Sequence, residues 1–152
     1  MAILTTHVGS LPRPKIVSEL LFKREKEEEY NLQYFEEVIS KSVEEVVKKQ
    51  LDVGVDIISD GEMSKISYAT YVKDRYNGFA GDSERNPPQD LEKFPNYMKK
   101  IADSGGTPTY SRPCCVAEIS SKKNNDLNND IKNILSASKK FNHNKIFMNA
   151  AS

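Results

Sequence analysis

A surplus of charge is the first thing this sequence lacks. Its 22 Lys and Arg are matched by 22 Asp and Glu, so the formal net charge is zero. Without a positive excess there is no electrostatic basis for general binding to nucleic acid or to a membrane surface. Apolar residues are scarce as well, at 38% against roughly 45–50% in globular domains. Exchanging the 7 Tyr for the 7 Gly, to match the usual way of counting, leaves that figure unchanged. No apolar run approaches the ~18–20 residues of a membrane span. The opening Met1-Ala2-Ile3-Leu4-Thr5-Thr6-His7 has no basic stretch followed by an apolar core, so it does not read as a secretory signal. Only two cysteines occur, Cys114 and Cys115. Being adjacent, they cannot build a disulfide framework, which fits a reducing cytoplasm.

What is present reads as α/β. Ile3 to Val8 is a short strand pattern that stops at Gly9-Ser10, and Pro12 and Pro14 keep the next residues extended. The mixed charges of residues 22–29 suggest a solvated helical face. From 35 to 51, Phe35, Val38, Ile39, Ser42, Val43, Val46, Val47, Gln50 and Leu51 recur at helical spacing, with Glu and Lys filling the other side. Gly54 falls where a helix favours a residue tolerant of left-handed geometry. Val55 to Asp60 then reads as a buried strand ended by Gly61, completing a strand–helix–strand unit with parallel strands.

Residues 71–119 lose this periodicity and collect Gly and Pro. They read as an insertion with a hairpin: Gly105-Gly106 precede an edge strand, and Cys114 to Ile119 form a second strand. Residues 124–144 carry seven Asn, yet Leu127, Ile131, Ile134, Leu135 and Ser138 keep helical spacing, so a polar helix is expected. Lys145 to Ala150 looks like a third strand. Three parallel strands with two crossovers leave the sheet with open edges, whereas a (β/α)8 barrel takes about 250 residues. The expectation is therefore that residues 1–152 form the incomplete N-terminal part of a TIM barrel, with 71–119 inserted in it.

Parallel α/β proteins build their sites where the strands' C-terminal ends point. Three clusters qualify: Val8-Gly9-Ser10, Asp60-Gly61-Glu62, and Asn149 to Ser152. Gly9 allows close approach to the backbone, Ser10 offers a hydroxyl and an N–H, and Glu62 supplies a carboxylate suited to an ammonium group. Gly9 and Gly61 serve equally as plain turn glycines, and Ser10 as a capping residue. His7 sits two residues before the first mouth; it could face the site, and a packed strand histidine fits as well.

The residues themselves point further. Thr5-Thr6-His7-Val8-Gly9-Ser10-Leu11-Pro12-Arg13-Pro14 resembles the opening of the C-terminal catalytic barrel of cobalamin-independent methionine synthases, most closely the short, single-barrel members. Gly54 to Glu62 resembles the family's second strand with its glycine-glutamate turn. Phe147 to Ser152 is similar to its third strand. The resemblance implies that Gly9 and Ser10 bind the amino-acid part of a homocysteine-like thiol acceptor and that Glu62 binds its ammonium group. It implies methyl transfer from a folate or other donor in methionine biosynthesis. It also implies a catalytic zinc in the full-length protein, with ligands beyond residue 152 and none within this chain. The family's larger enzymes have His before the Gly-Glu pair; here Asp60 stands there, as in the short members. Related barrels take other thiols, including coenzyme M, so a thiol transferase of that kind remains open. A non-catalytic small-ligand-binding α/β protein also remains open. The expected partners are small molecules, with no nucleic acid and no membrane.

Overall fold

The computed structural model describes residues 3–83, 89–103, 112–123 and 125–149. These hold helices α1 (Lys15–Glu25), α2 (Leu32–Asp52), α3 (Tyr68–Arg75), α4 (Gln89–Glu92), α5 (Pro95–Asp103) and α6 (Asp126–Lys140). They also hold strands β1 (Tyr76–Ala80) and β2 (Cys114–Ser121). Among them no helix is long and apolar enough to cross a membrane.

The backbone of the fold is α2. Asn31 caps it by accepting the Tyr34 N–H at 2.9 Å, which satisfies one of the helix's orphan donors. Gly54 lies past its end at φ +82, as the sequence pattern required. The expected stripe buries Phe35, Ile39, Ser42, Val43, Val46, Val47 and Gln50. Against it pack Val17, Leu20 and Leu21 of α1, Ile134 and Ala137 of α6, and Ile58 and Met63. The charged stretch 22–29 is helical only as far as Glu25, and Glu27 turns the chain at φ +56.

Three parallel strands, as expected, are not developed among the described residues. The segments concerned touch through single parallel bridges, Thr6 to Ile57 and Ile58 to Ile146, and lie in sequence order. The physical reason is that side chains take the places that ladder partners would fill. The Thr5 N–H goes to the Asp56 carboxylate at 2.8 Å, and the Thr6 hydroxyl takes the Ile57 carbonyl at 2.8 Å. Gln50 of α2 satisfies both backbone groups of Ser59: its Oε1 accepts the N–H at 2.9 Å and its Nε2 donates to the C=O at 2.8 Å. Buried backbone groups have to be paired, and here a helix side chain does the pairing. Ala150, the expected end of the third strand, lies outside the described residues.

The hairpin also differs from expectation. β2 covers the predicted 114–119, but its antiparallel partner is β1, which precedes α4 and α5. Gly105 and Gly106 lie outside the described residues. The ladder is irregular between Asn77 and Phe79. Gly78 sits there at φ +90, and a Cβ would meet the Glu118 carbonyl oxygen at 2.7 Å, so only glycine fits.

Helix α6 forms where its spacing predicted, but it presents a different face. It buries Asp130, Ile134, Ala137 and Ser138, while Leu127, Ile131 and Leu135 are exposed. A buried carboxylate on the core face is what sequence periodicity does not anticipate, and its partners explain it.

Candidate functional site

Two turns converge beside the middle segment. The first, after residue 8, is opened by Gly9 at φ +97. The second places Gly61 at φ +61 and Glu62 at φ +56 in succession. A glutamate in the left-handed region is uncommon and costs about 1–2 kcal/mol for an L-residue. A dense set of contacts holds it there. The Glu62 N–H donates to Asp60 Oδ1 at 3.0 Å, and its carbonyl accepts Arg13 Nε at 3.2 Å and Nη2 at 2.9 Å. Leu11 N–H reaches the Gly61 carbonyl at 3.0 Å, joining the two turns directly.

The Glu62 side chain is buried, and both oxygens are engaged. Ser10 Oγ donates to Oε2 at 2.6 Å and Asn149 Nδ2 donates to Oε1 at 2.7 Å. All three segments thus meet at one carboxylate. It borders an open pocket of ≈ 590 Å³, lined also by Gly9, Ser10, Ile66, Ser67 and Arg112. Gly9, Ser10 and Glu62, expected to act together, are brought together.

His7 is not among them. It lines a separate, mainly apolar pocket with Pro12, Val46, Gln50 and Met63, against α2.

Beneath the turn lies a buried charge network that the sequence reading missed. Asp60 Oδ2 accepts Lys65 Nζ at 2.9 Å, with both side chains 3% exposed. Lys65 lies 4.0 Å from Asp130 of α6, which accepts Ser64 Oγ and Arg75 Nη2 at 2.6 Å each. The Arg75 guanidinium stacks on Tyr71 at 3.6 Å. Burial pushes the Asp130 carboxyl above its ordinary value, while Ser64, Lys65 and Arg75 pull it back. Burial likewise pulls the Arg13 guanidinium below its usual value, with Glu62 and Asp60 opposing. One local signal was available in the sequence: Arg13 stands three residues after Ser10, between two prolines that fix its backbone. The links to Asp130 and Asn149 span 55 residues or more and have no local signature.

The turn's packing gives a direct test. A Cβ on Gly61 would lie 3.2 Å from the Leu11 Cβ and from both Val46 methyls, in a backbone conformation that alanine resists. Gly61→Ala should destabilise the chain by about 1–2 kcal/mol in chemical denaturation. A change under a few tenths would show that the turn adapts freely.

A zinc centre does not fit the residues that the structure describes. Among the described residues no three His, Cys, Asp or Glu are grouped to hold a metal. Cys114 and Cys115 are exposed neighbours on β2, and His143 Nε2 is engaged with the Asp56 carbonyl at 3.0 Å. Adjacent strand residues face opposite ways and cannot grip one tetrahedral ion together.

Comparison with known proteins places the chain in a family. The family model described as the catalytic domain of cobalamin-independent synthase matches residues 3–86, which include both turns. A methionine synthase of Sulfolobus acidocaldarius is 32% identical over 75 residues, covering 49% of this chain and 22% of that protein. The matched region thus spans less than a quarter of the relative's length.

Proposed function

This chain belongs to the family of cobalamin-independent synthase catalytic domains, and on that premise we propose that it carries the thiol-acceptor side of a methyl-transferring barrel. In this reading residues 1–152 are the first part of a (β/α)8 barrel acting in the cytoplasm, and the bridged segments are its first three parallel strands. The reaction moves a methyl group from a folate or similar donor to the sulfur of a homocysteine-like thiol, in methionine biosynthesis. The sulfur exchanges its proton for the methyl, and the donor keeps the bonding pair of the broken bond and ends with the proton. Zinc and its ligands lie in the remainder of the full-length protein.

The observation that carries the reading is the buried Glu62 carboxylate beside Gly9 and Ser10, at the ends of three adjacent segments. A fixed carboxylate in a pocket recognises an ammonium group, and charge-assisted contacts are roughly twice as strong as neutral ones. The backbone at Gly9 is open enough for a ligand to approach closely, since nothing lies within 4 Å of where its Cβ would be. Glu62 therefore orients the amino-acid end of the acceptor.

A comparison of two ligands tests this. In NMR titrations of the 152-residue chain, L-homocysteine should shift the amides of residues 9–11 and 61–63. It should bind at least about tenfold more tightly than 4-mercaptobutanoate, which lacks the amino group. Equal binding would remove the ammonium site and favour an acceptor of the coenzyme M type.

A further inference from the structure

We infer that Arg13 is a positioning residue, which acts through the Ser10 hydroxyl to hold the Glu62 carboxylate in its ligand-binding orientation. The inference rests on the reading of Glu62 as the ammonium site and adds a residue and a mechanism to it.

The direction of the hydrogen bonds follows from the groups involved. A guanidinium can only donate, and an ionised carboxylate can only accept. Arg13 Nη2 lies 3.1 Å from Ser10 Oγ, so it donates into a lone pair of that hydroxyl. Ser10 has one hydroxyl hydrogen, and the acceptor at 2.6 Å is Glu62 Oε2. The chain of donation therefore runs one way, from Arg13 to Ser10 to Glu62. A hydroxyl that accepts from a cation is a better donor, because hydrogen bonds in series polarise one another.

The same guanidinium fixes the backbone on which Glu62 stands. Its Nε and Nη2 hold the Glu62 carbonyl, and Nη2 also reaches the Lys65 carbonyl three residues further on, its two hydrogens being shared among Ser10, Glu62 and Lys65. Arg13 thus grips the glutamate by its main chain and, through Ser10, by its side chain. Half-buried and preceded by Pro12, it is held in place from its own side of the site. A lysine could not do this, since one ammonium lacks the planar fork that spans these acceptors.

Two consequences follow. The Ser10 hydroxyl has no hydrogen left for a ligand, so any donor the first turn offers a bound molecule is a backbone N–H. Further, loss of Arg13 should harm only ligands that use Glu62.

The test uses the 152-residue chain, NMR titration, and the two probes L-homocysteine and 4-mercaptobutanoate. Arg13→Gln and Ser10→Ala should each weaken L-homocysteine by about tenfold, with 4-mercaptobutanoate unchanged within about twofold. In the Ser10→Ala background, Arg13→Gln should add clearly less than its own tenfold, because the side-chain part of its effect runs through Ser10 and only the main-chain grip on Glu62 is left to lose. Equal weakening of both probes would make Arg13 merely structural and overturn the inference. Independent, multiplying effects would overturn it as well. If Arg13→Gln does not fold, Ser10→Ala decides alone, since Ser10 is exposed and its loss should leave the fold intact. Glu62→Gln separates the two levels. If it leaves L-homocysteine unaffected, the ammonium site itself fails and the inference falls with it. If it weakens binding while Ser10→Ala does not, only the role of Arg13 is lost.

Discussion

Asp130→Ala should destabilise the folded chain by about 3–5 kcal/mol, the range for removing one partner of a buried ion pair. The loss arises from what the carboxylate leaves behind. Arg75, with its side chain 11% exposed, would keep its ring contact with Tyr71 but lose its anion. Lys65 would retain Asp60 alone, and the Ser64 hydroxyl would lose its acceptor. Burial raises the Asp130 carboxyl above its ordinary value, so the anion itself is not comfortable there. The folded state therefore binds this proton more tightly than the unfolded chain does. The group's contribution to stability weakens as pH climbs from the usual Asp range through the raised folded value. Chemical denaturation gives the measurement, and a loss below about 1 kcal/mol would contradict the prediction. Replacing the pair together, as Asp130→Leu with Arg75→Met, should recover most of the loss, because neither charge is then left without its partner.

The second large effect is on binding. Glu62→Gln keeps the shape and most of the hydrogen-bonding capacity but removes the charge. Losing one charge-assisted contact is worth roughly 1.5–3 kcal/mol, or about 10- to 150-fold in affinity for L-homocysteine. Folding should change far less, since glutamine can still accept from Ser10 or Asn149. The control is again 4-mercaptobutanoate, which the variant and the parent should bind about equally. A variant that binds both probes as the parent does would exclude Glu62 as the ammonium site. One that loses both equally would point to a collapsed turn.

Much of this was legible wherever the information is local. The α2 stripe, its terminating Gly54 and the Asp60-Gly61-Glu62 turn follow from spacing within a few residues of each other. The face of α6 did not, because Leu127, Ile131 and Leu135 match an apolar period while Asp130 is held inside by cations from α3 and the glycine-glutamate turn. Pairing in the hairpin is likewise non-local: nothing near Cys114 announces that Tyr76–Ala80 is its partner. His7 was ambiguous because alternation fixes which residues share a side, not which side faces the site. Arg13 lies in the segment that Pro12 and Pro14 keep extended, and its contacts emerge only when Glu62 and Lys65 fold beside it.

The left-handed backbone of Glu62 sets fold and function against each other. Glycine or asparagine adopts that conformation more readily, so stability alone would favour replacing the residue the proposed chemistry depends on. A directed-evolution campaign scored by thermal resistance would drift toward such a replacement, and its most heat-tolerant variants would be the ones that had abandoned the acceptor. Retaining the glutamate under that pressure requires selecting for binding in every round.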